Sequence, residues 1–419
     1  MIRKIILFFA FAVSVSVIAQ KQQTSPYSFL GMGADFASKT IQESMMGGLG
    51  TAISNPVHIN FSNPAALSNL RFTNYTLGAM NAQTRVKNQT DQQRASLFTI
   101  SYLAIGIPLG DKAGISAGLR ANTGVGYSLS EGDLLSEQGL RIYEGSGGSN
   151  GLFLASGVSL FKGLSIGLEG AFIFGNIEST ETSYQQDTGV DIREKQTAVL
   201  RGFDTKLGIY YLNKVSKKNS LSFGLTLLKS KDITVDETTS FYNGLFASNY
   251  EDIESSSPVE NTSGSIVTPI KTGFALGYGL PSKWHLGLEY SFREALSYSE
   301  GIFQNKIQKV TFSNYEQISF GGYYTPNLNS LTNYFSRVTY RAGIKYENLG
   351  MQIGGVQLED YGISFGVGLP IGKGLSNLNI GLEYGIKGKE SPQLIEERYF
   401  NIKFGLSFGD KWFRQRKID

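Results

Sequence analysis

The chain has no cysteine in 419 residues, only two histidines (His58 and His285) and a charged fraction of 17%. Without thiols there is no cysteine nucleophile, disulfide frame, iron-sulfur cluster or thiolate zinc site, and two histidines leave little for an imidazole cage. No metal site, no cofactor and no redox or zinc chemistry are expected. Charge of one sign is missing too. The 38 Lys and Arg against 35 Asp and Glu give a formal +3, and two of the basic residues (Arg3, Lys4) stand at the very start. That balance lacks the basic excess of a nucleic-acid binder, so no nucleic-acid partner is expected. Beyond Gln20 no apolar run approaches the roughly 20 residues a membrane-spanning helix needs.

The start reads as a secretory signal peptide over residues 1–19. Arg3 and Lys4 precede an apolar run of 14 residues, Ile5 to Ile18, and a small-residue site Val17-Ile18-Ala19, with cleavage near Ala19. The run is short for an anchor, and the absence of cysteine excludes a lipoprotein. The mature chain is expected in an extracytoplasmic compartment.

Glycine is abundant, at 50 residues, and aromatic residues make up 12%. From Arg71 onward the chain repeats segments that alternate apolar with small or polar residues. Phe400, Ile402, Phe404, Leu406 and Phe408 oppose Asn401, Lys403, Gly405, Ser407 and Gly409. The same parity recurs over Leu378–Lys387 and Trp284–Arg293, while Tyr361 to Leu369 opposes only Gly and Ser. A glycine-rich second face, aromatics at segment ends (Trp284, Tyr290, Phe292, Tyr346, Tyr384, Trp412, Phe413) and short turns alternating with long polar loops select a membrane barrel over a soluble sandwich. The long loops are read as Ser128–Asn150, Ser179–Lys195 and Ile233–Gly264. The fold class is all-β, a transmembrane antiparallel β-barrel of about 14 strands over residues 71–413. Strands are expected to start near Arg71, Leu97, Gly114, Gly151, Leu164, Ala198, Ser220, Ser265, Lys283, Val310, Val338, Asp360, Leu378 and Tyr399. Residues 20–70 show no such alternation but carry Tyr27, Phe29, Phe36, Met45, Met46 and Phe61, too many apolar side chains for a solvated linker; they are read as an N-terminal plug. Residues 414–419 form a basic periplasmic tail.

The spelling G-x-S-x-G of a hydrolase elbow occurs around Ser149, Ser116, Ser165, Ser364 and Ser407. Strands with Gly and Ser on one face generate it without any catalytic turn, so no catalytic residue and no enzyme activity are expected. Inward parity falls on Arg120, Glu169, Asp204, Lys206, Glu289, Arg293, Arg341, Lys345 and Glu383, together with Lys271, Glu347, Lys387 and Lys403. Such mixed charge is either a polar pathway or salt-bridged filling of the lumen. The segment Ile233–Gly264 is acidic, and its Phe241, Tyr242, Phe246 and Tyr250 are candidate partner contacts.

Ile59-Asn60-Phe61-Ser62-Asn63-Pro64-Ala65-Ala66-Leu67, preceded by Gly47-Gly48-Leu49-Gly50-Thr51-Ala52, resembles the Asn-Pro-Ala box before the first strand of FadL-type outer-membrane proteins. Asn63 suits an Asx turn, and Pro64 fixes its own backbone and restricts that of Asn63, so the box bends the chain into the wall. The resemblance implies a plug motif at Asn63, Pro64 and Ala65, a 14-stranded barrel in the cell outer membrane, and passive uptake of a hydrophobic ligand that leaves sideways into outer-membrane lipid. Ser25-Pro26-Tyr27-Ser28 and the end Gly409-Asp410-Lys411-Trp412-Phe413 resemble the PorV-like branch of Bacteroidetes, whose members are partners in type IX secretion. That likeness implies the alternative, a non-enzymatic accessory subunit of a large outer-membrane secretion or assembly complex. The hydrophobic capture loops of the family's transporters have no counterpart here.

Overall fold

The computed structural model describes residues 23–36, 39–87, 92–132, 139–185, 190–216, 219–245, 260–303, 310–372 and 375–411. The signal-like start, Phe246, Tyr250, Trp412, Phe413 and the basic tail lie outside them.

Alternating parity produces strands that are wetted differently on their two faces. The first seven are β1 (Thr73–Lys87), β2 (Gln92–Leu109), β3 (Ala113–Gly132), β4 (Leu140–Phe161), β5 (Leu164–Gln185), β6 (Val190–Lys214) and β7 (Ser220–Leu245). Next comes β8, in two pieces, Glu260–Val267 and Lys271–Leu280, both paired to β7. The remainder are β9 (Trp284–Arg293), β10 (Val310–Tyr324), β11 (Thr339–Ile353), β12 (Val356–Ile371), β13 (Ser376–Lys387) and β14 (Glu396–Asp410). All neighbours are antiparallel, and β14 pairs with β1 from Glu396↔Lys87 to Asp410↔Thr73, which closes the sheet into a 14-stranded barrel. Closure satisfies the backbone groups that an edge would leave bare in hydrocarbon.

The outward set is apolar all the way round. Leu168, Phe203, Phe223, Leu276, Leu288, Phe320, Ile344, Phe365, Leu382, Phe404 and Phe98 are all exposed, on eleven different strands. A closed apolar ring of this kind is a lipid-facing belt, so the barrel spans a membrane. Short connections, such as Gly110–Lys112 and Pro281–Lys283, gather at one end, by convention the periplasmic one.

The three long polar loops expected from composition are mostly strand. Strands β4 to β7 run 22, 22, 25 and 26 residues, where roughly 9–11 tilted residues cross a bilayer. They continue above the membrane as a tall sheet. Asp236, Glu237, Phe241 and Tyr242 lie on β7, with Tyr242 opposite Arg193 and Phe241 opposite Glu194 of β6. Apolar alternation stops where lipid stops. The β-branched residues of Ile233-Thr234-Val235 and Thr238-Thr239 keep the backbone extended beyond that point, so polarity there marks height and not looseness.

Candidate functional site: the occupied lumen

Residues 23–36 and 39–70 occupy the barrel at two levels. The upper level is a 3-10 turn at Pro26–Phe29 and a two-residue pairing of Ala34 and Asp35 with Gly124 and Thr123 of β3. Phe29 and Met32 pack on a buried cluster of Val125, Ile177, Leu200, Ile233, Val235 and Phe303, four of them from the tall strands β5–β7. Tyr27 sits with Leu358 and Leu394 on the opposite wall, and Ser25 Oγ donates to Glu397. Ser28 Oγ accepts from the Gly126 amide at 3.0 Å.

The lower level starts at a one-turn helix, α1 (Ile41–Ser44), whose Thr40 and Glu43 form a reciprocal capping box. The chain then turns through Gly47 (φ 68°) and Gly48 (φ 87°), a left-handed pair that suits glycine. It finishes in a 3-10 helix, Pro64–Asn69. Phe61 meets Tyr102 and Phe153 edge to face at 5.0 and 5.3 Å, within a core of Ile41, Met45, Ile59, Leu67 and Ile173.

Asn63, Pro64 and Ala65 sit where this level meets the wall. Asn63 is fully buried. Its Oδ1 accepts from the Ala65 amide at 3.0 Å, and its Nδ2 donates to the carbonyls of Thr51 (2.9 Å) and Ile209 (2.8 Å). The box therefore closes an Asx turn and ties the segment both to itself and to β6. A Cβ added at Gly208 would collide with Asn63 Oδ1, one at Gly167 with Pro64 and Ala65, and one at Gly343 with Met46 and Gly47. The glycine-rich inner face is the imprint of the segment pressed against it. Serines of the G-x-S-x-G spellings serve the same contact: Ser165 bonds Ser68 at 2.8 Å, Ser364 accepts from the Gly47 amide at 2.9 Å, and Ser407 accepts from Gln42 at 3.1 Å.

Asn63→Ala is expected to destabilise the folded barrel by about 2–4 kcal/mol, because it strands one buried amide and two buried carbonyls at ~1–3 kcal/mol each, partly offset by relaxation. Urea unfolding in lipid vesicles measures it. An unchanged midpoint would contradict the anchoring role.

Between the levels lies a cavity of about 320 Å³. Its lining includes Arg120, Asp204, Lys206, Lys271, Glu289, Arg293, Lys345, Glu347, Glu383, Lys387 and Lys403, eleven of the thirteen charges that parity turned inward. Glu169 is buried beside it, 2.6 Å from Arg120 and 3.3 Å from Lys206. On β11–β14, Lys345 reaches Asp360 at 3.1 Å and Glu383 at 3.3 Å, and Lys403 reaches Glu383 at 2.7 Å. Arg293 and Lys271 both lie over the Tyr315 ring, at 5.3 and 4.0 Å. Arg341 stands apart, donating to Asn379 Oδ1 at 3.2 Å. Burial pushes the His58 imidazole down to about 3, with the Arg341 charge acting in the same direction. His285 stacks on Tyr323 and contacts Ser222 at 3.2 Å.

The segment is held electrostatically at Glu289 of β9. This carboxylate accepts from Lys39 Nζ at 2.9 Å and from the amides of Gly50 and Thr51 at 2.9 and 2.8 Å. Lys39, Asp360, Glu397 and Tyr399 were missing from the inward set. Parity reaches the last three, since Glu397 and Tyr399 share a face with Lys403 and Asp360 shares one with Ser364. Lys39 has no periodic neighbourhood to reveal it. Among the described residues no group of three His, Asp or Glu is arranged to hold a metal ion.

Several solved structures are similar in fold. They include the Pseudomonas putida toluene transporter TodX (TM-score 0.59, 13% identity, 90% of this chain and 99% of that chain) and the CymD monoaromatic hydrocarbon channel (0.57, 10%, 90% and 99%). A Pseudomonas aeruginosa FadL homologue is similar as well (0.56, 12%, 88% and 97%). At these identities the likeness is one of fold: a FadL-type barrel. No curated protein matches the chain. A family model described as BamG matches residues 1–419, and the chain belongs to the BamG family.

Proposed function

We propose that this protein is a sealed, non-enzymatic outer-membrane barrel that serves as an accessory subunit of an outer-membrane protein secretion or assembly complex. The observation that carries the reading is the chemistry of the chamber: eight cationic and seven anionic side chains line it. An apolar solute entering would displace water from charges that need it, an expensive exchange. Residues 23–36 and 39–70, covering the lumen at two levels and tied to most of the wall, fit a plug that stays in place. The tall sheet of β4–β7 offers surface above the membrane for a partner, with Phe241 and Tyr242 near its top. The PorV-like start and end support the same reading.

A second reading, passive uptake of hydrophobic small molecules, is favoured by one feature. The wall is interrupted in β8 at Thr268-Pro269-Ile270, and Thr268 and Pro269 line the cavity. Pull-down of the tagged protein from native membranes in gentle detergent, with mass spectrometry of proteins and extracted lipids, separates the two. Stoichiometric large partners without a specific apolar ligand are expected. A lone barrel carrying such a ligand would reverse the order.

A further inference from the structure

On the outer wall, β14, β1 and β2 place three arginines abreast. Arg398 is directly opposite Arg85, and Arg85 is directly opposite Arg94. Parity puts all three outside: Thr84 and Tyr399 beside them are buried, whereas the three arginines are exposed. Directly opposed residues on one face hold their Cβ atoms about 5 Å apart, where like charges destabilise the pairing. Two such oppositions in a row are a cost the sheet carries at its closing seam.

Local partners relieve little of it. Arg398 Nε donates to Glu396 at 2.7 Å, and Arg85 donates to the neutral Gln92. Lys87, one rung above, is taken by Glu390 at 2.8 Å. Among the described residues neither Arg85 nor Arg94 has a carboxylate within ion-pair distance.

Height decides what can relieve the rest. Arg85 lies twelve residues from Thr73, the periplasmic end of β1, which for a tilted strand is about 30 Å, just beyond an apolar band about 25 Å tall. Below the row the belt resumes one rung down at Phe400 on β14 and two rungs down at Phe98 on β2, with Gln83 and Ser96 between on β1 and β2. Facing lipid beneath and headgroups alongside, the row spans about 10 Å across three strands. Its guanidinium forks suit the paired oxygens of a phosphate.

The geometry points to a binding site on the outer wall, formed by Arg398, Arg85 and Arg94, for the phosphate groups of a phosphorylated outer-leaflet lipid. The lipid's acyl chains run down the belt below, and its phosphates bridge guanidinium groups that would otherwise repel one another. The site rests on the membrane-barrel fold and is independent of the function proposed above.

The test is native mass spectrometry of the full-length protein released from detergent micelles, offered diphosphoryl lipid A or the same lipid with its phosphates removed. The wild type is expected to retain the phosphorylated lipid about 10-fold better. R85Q/R94Q/R398Q should lose that preference, and R85K/R94K/R398K should fall between, since ammonium groups keep the charge without the fork. K162Q/K283Q, at the opposite rim, should behave as wild type. Each variant is scored only if it keeps the heat-modifiable gel shift of a folded barrel. Equal retention of both lipids by the wild type, or a preference that survives in the triple glutamine variant, overturns the site. Stabilisation of the wild type by inorganic phosphate alone, to the same extent as by the lipid, would make it a soluble-anion site and overturn the lipid assignment.

Discussion

Glu289→Ala is expected to open a barrel that is otherwise electrically silent. In planar bilayers the wild type should show no steady conductance, and the variant should show frequent openings. Glu289 is 4% exposed and is the sole carboxylate within reach of Lys39 among the described ion pairs. It also holds the amides of Gly50 and Thr51, so one side chain fastens the segment at two points. Removing one partner of a buried pair costs about 3–5 kcal/mol, because the other charge stays buried and uncompensated. The barrel wall does not share that loss, since its ladder of backbone bonds is intact. The segment yields first, and Lys39 is free to seek water through the lumen. Glu289→Gln, which keeps an acceptor for the amides, should open less often. A folded Glu289→Ala barrel as silent as the wild type would mean that the hydrogen bonds of Asn63 and the core around Phe61 hold the segment without this carboxylate.

Much of this architecture was legible because lipid imposes parity. The expected starts fall close to the observed ones where the belt begins near the strand end, as at Leu164, Ser220 and Lys283. They fail where a strand begins high above the membrane. The start expected at Gly151 lies at Leu140, and that expected at Ala198 lies at Val190, since above the belt both faces are polar and alternation fades. Inward charges were legible from the same parity, but their partners were not. Nothing local links Glu289 to Gly50, 239 residues away, or Ser25 to Glu397, 372 away. The inner glycines show the limit best. Their abundance was readable as tolerance of crowding, while the object that crowds them, the backbone of residues 46–67 pressed on Gly167 and Gly343, has no local signature in the strands.

Lys345→Met is expected to be among the most destabilising single substitutions in the wall. Lys345 is the cation shared by carboxylates on three strands: Asp360 at 3.1 Å, Glu383 at 3.3 Å and Glu347 at 3.8 Å. Without it, Lys403 remains for Glu383, while Asp360 keeps only the Tyr399 hydroxyl at 2.8 Å and Glu347 the Tyr315 hydroxyl at 2.8 Å. Hydroxyls do not cancel charge, so the buried Asp360 and the partly buried Glu347 face each other as carboxylates from opposed positions on β12 and β11. The loss should be about 3–5 kcal/mol, read as a lowered urea midpoint in lipid vesicles. Adding Asp360→Asn removes the stranded charge and should recover more than half of the loss, a coupling that independent sites do not show. If the charges instead lined a working polar pathway with water at every carboxylate, hydration would replace the lost cation. Lys345→Met would then cost little, and Asp360→Asn would add nothing. A large loss with strong recovery therefore marks this network as structural filling, fixed in the same lumen as the segment it surrounds.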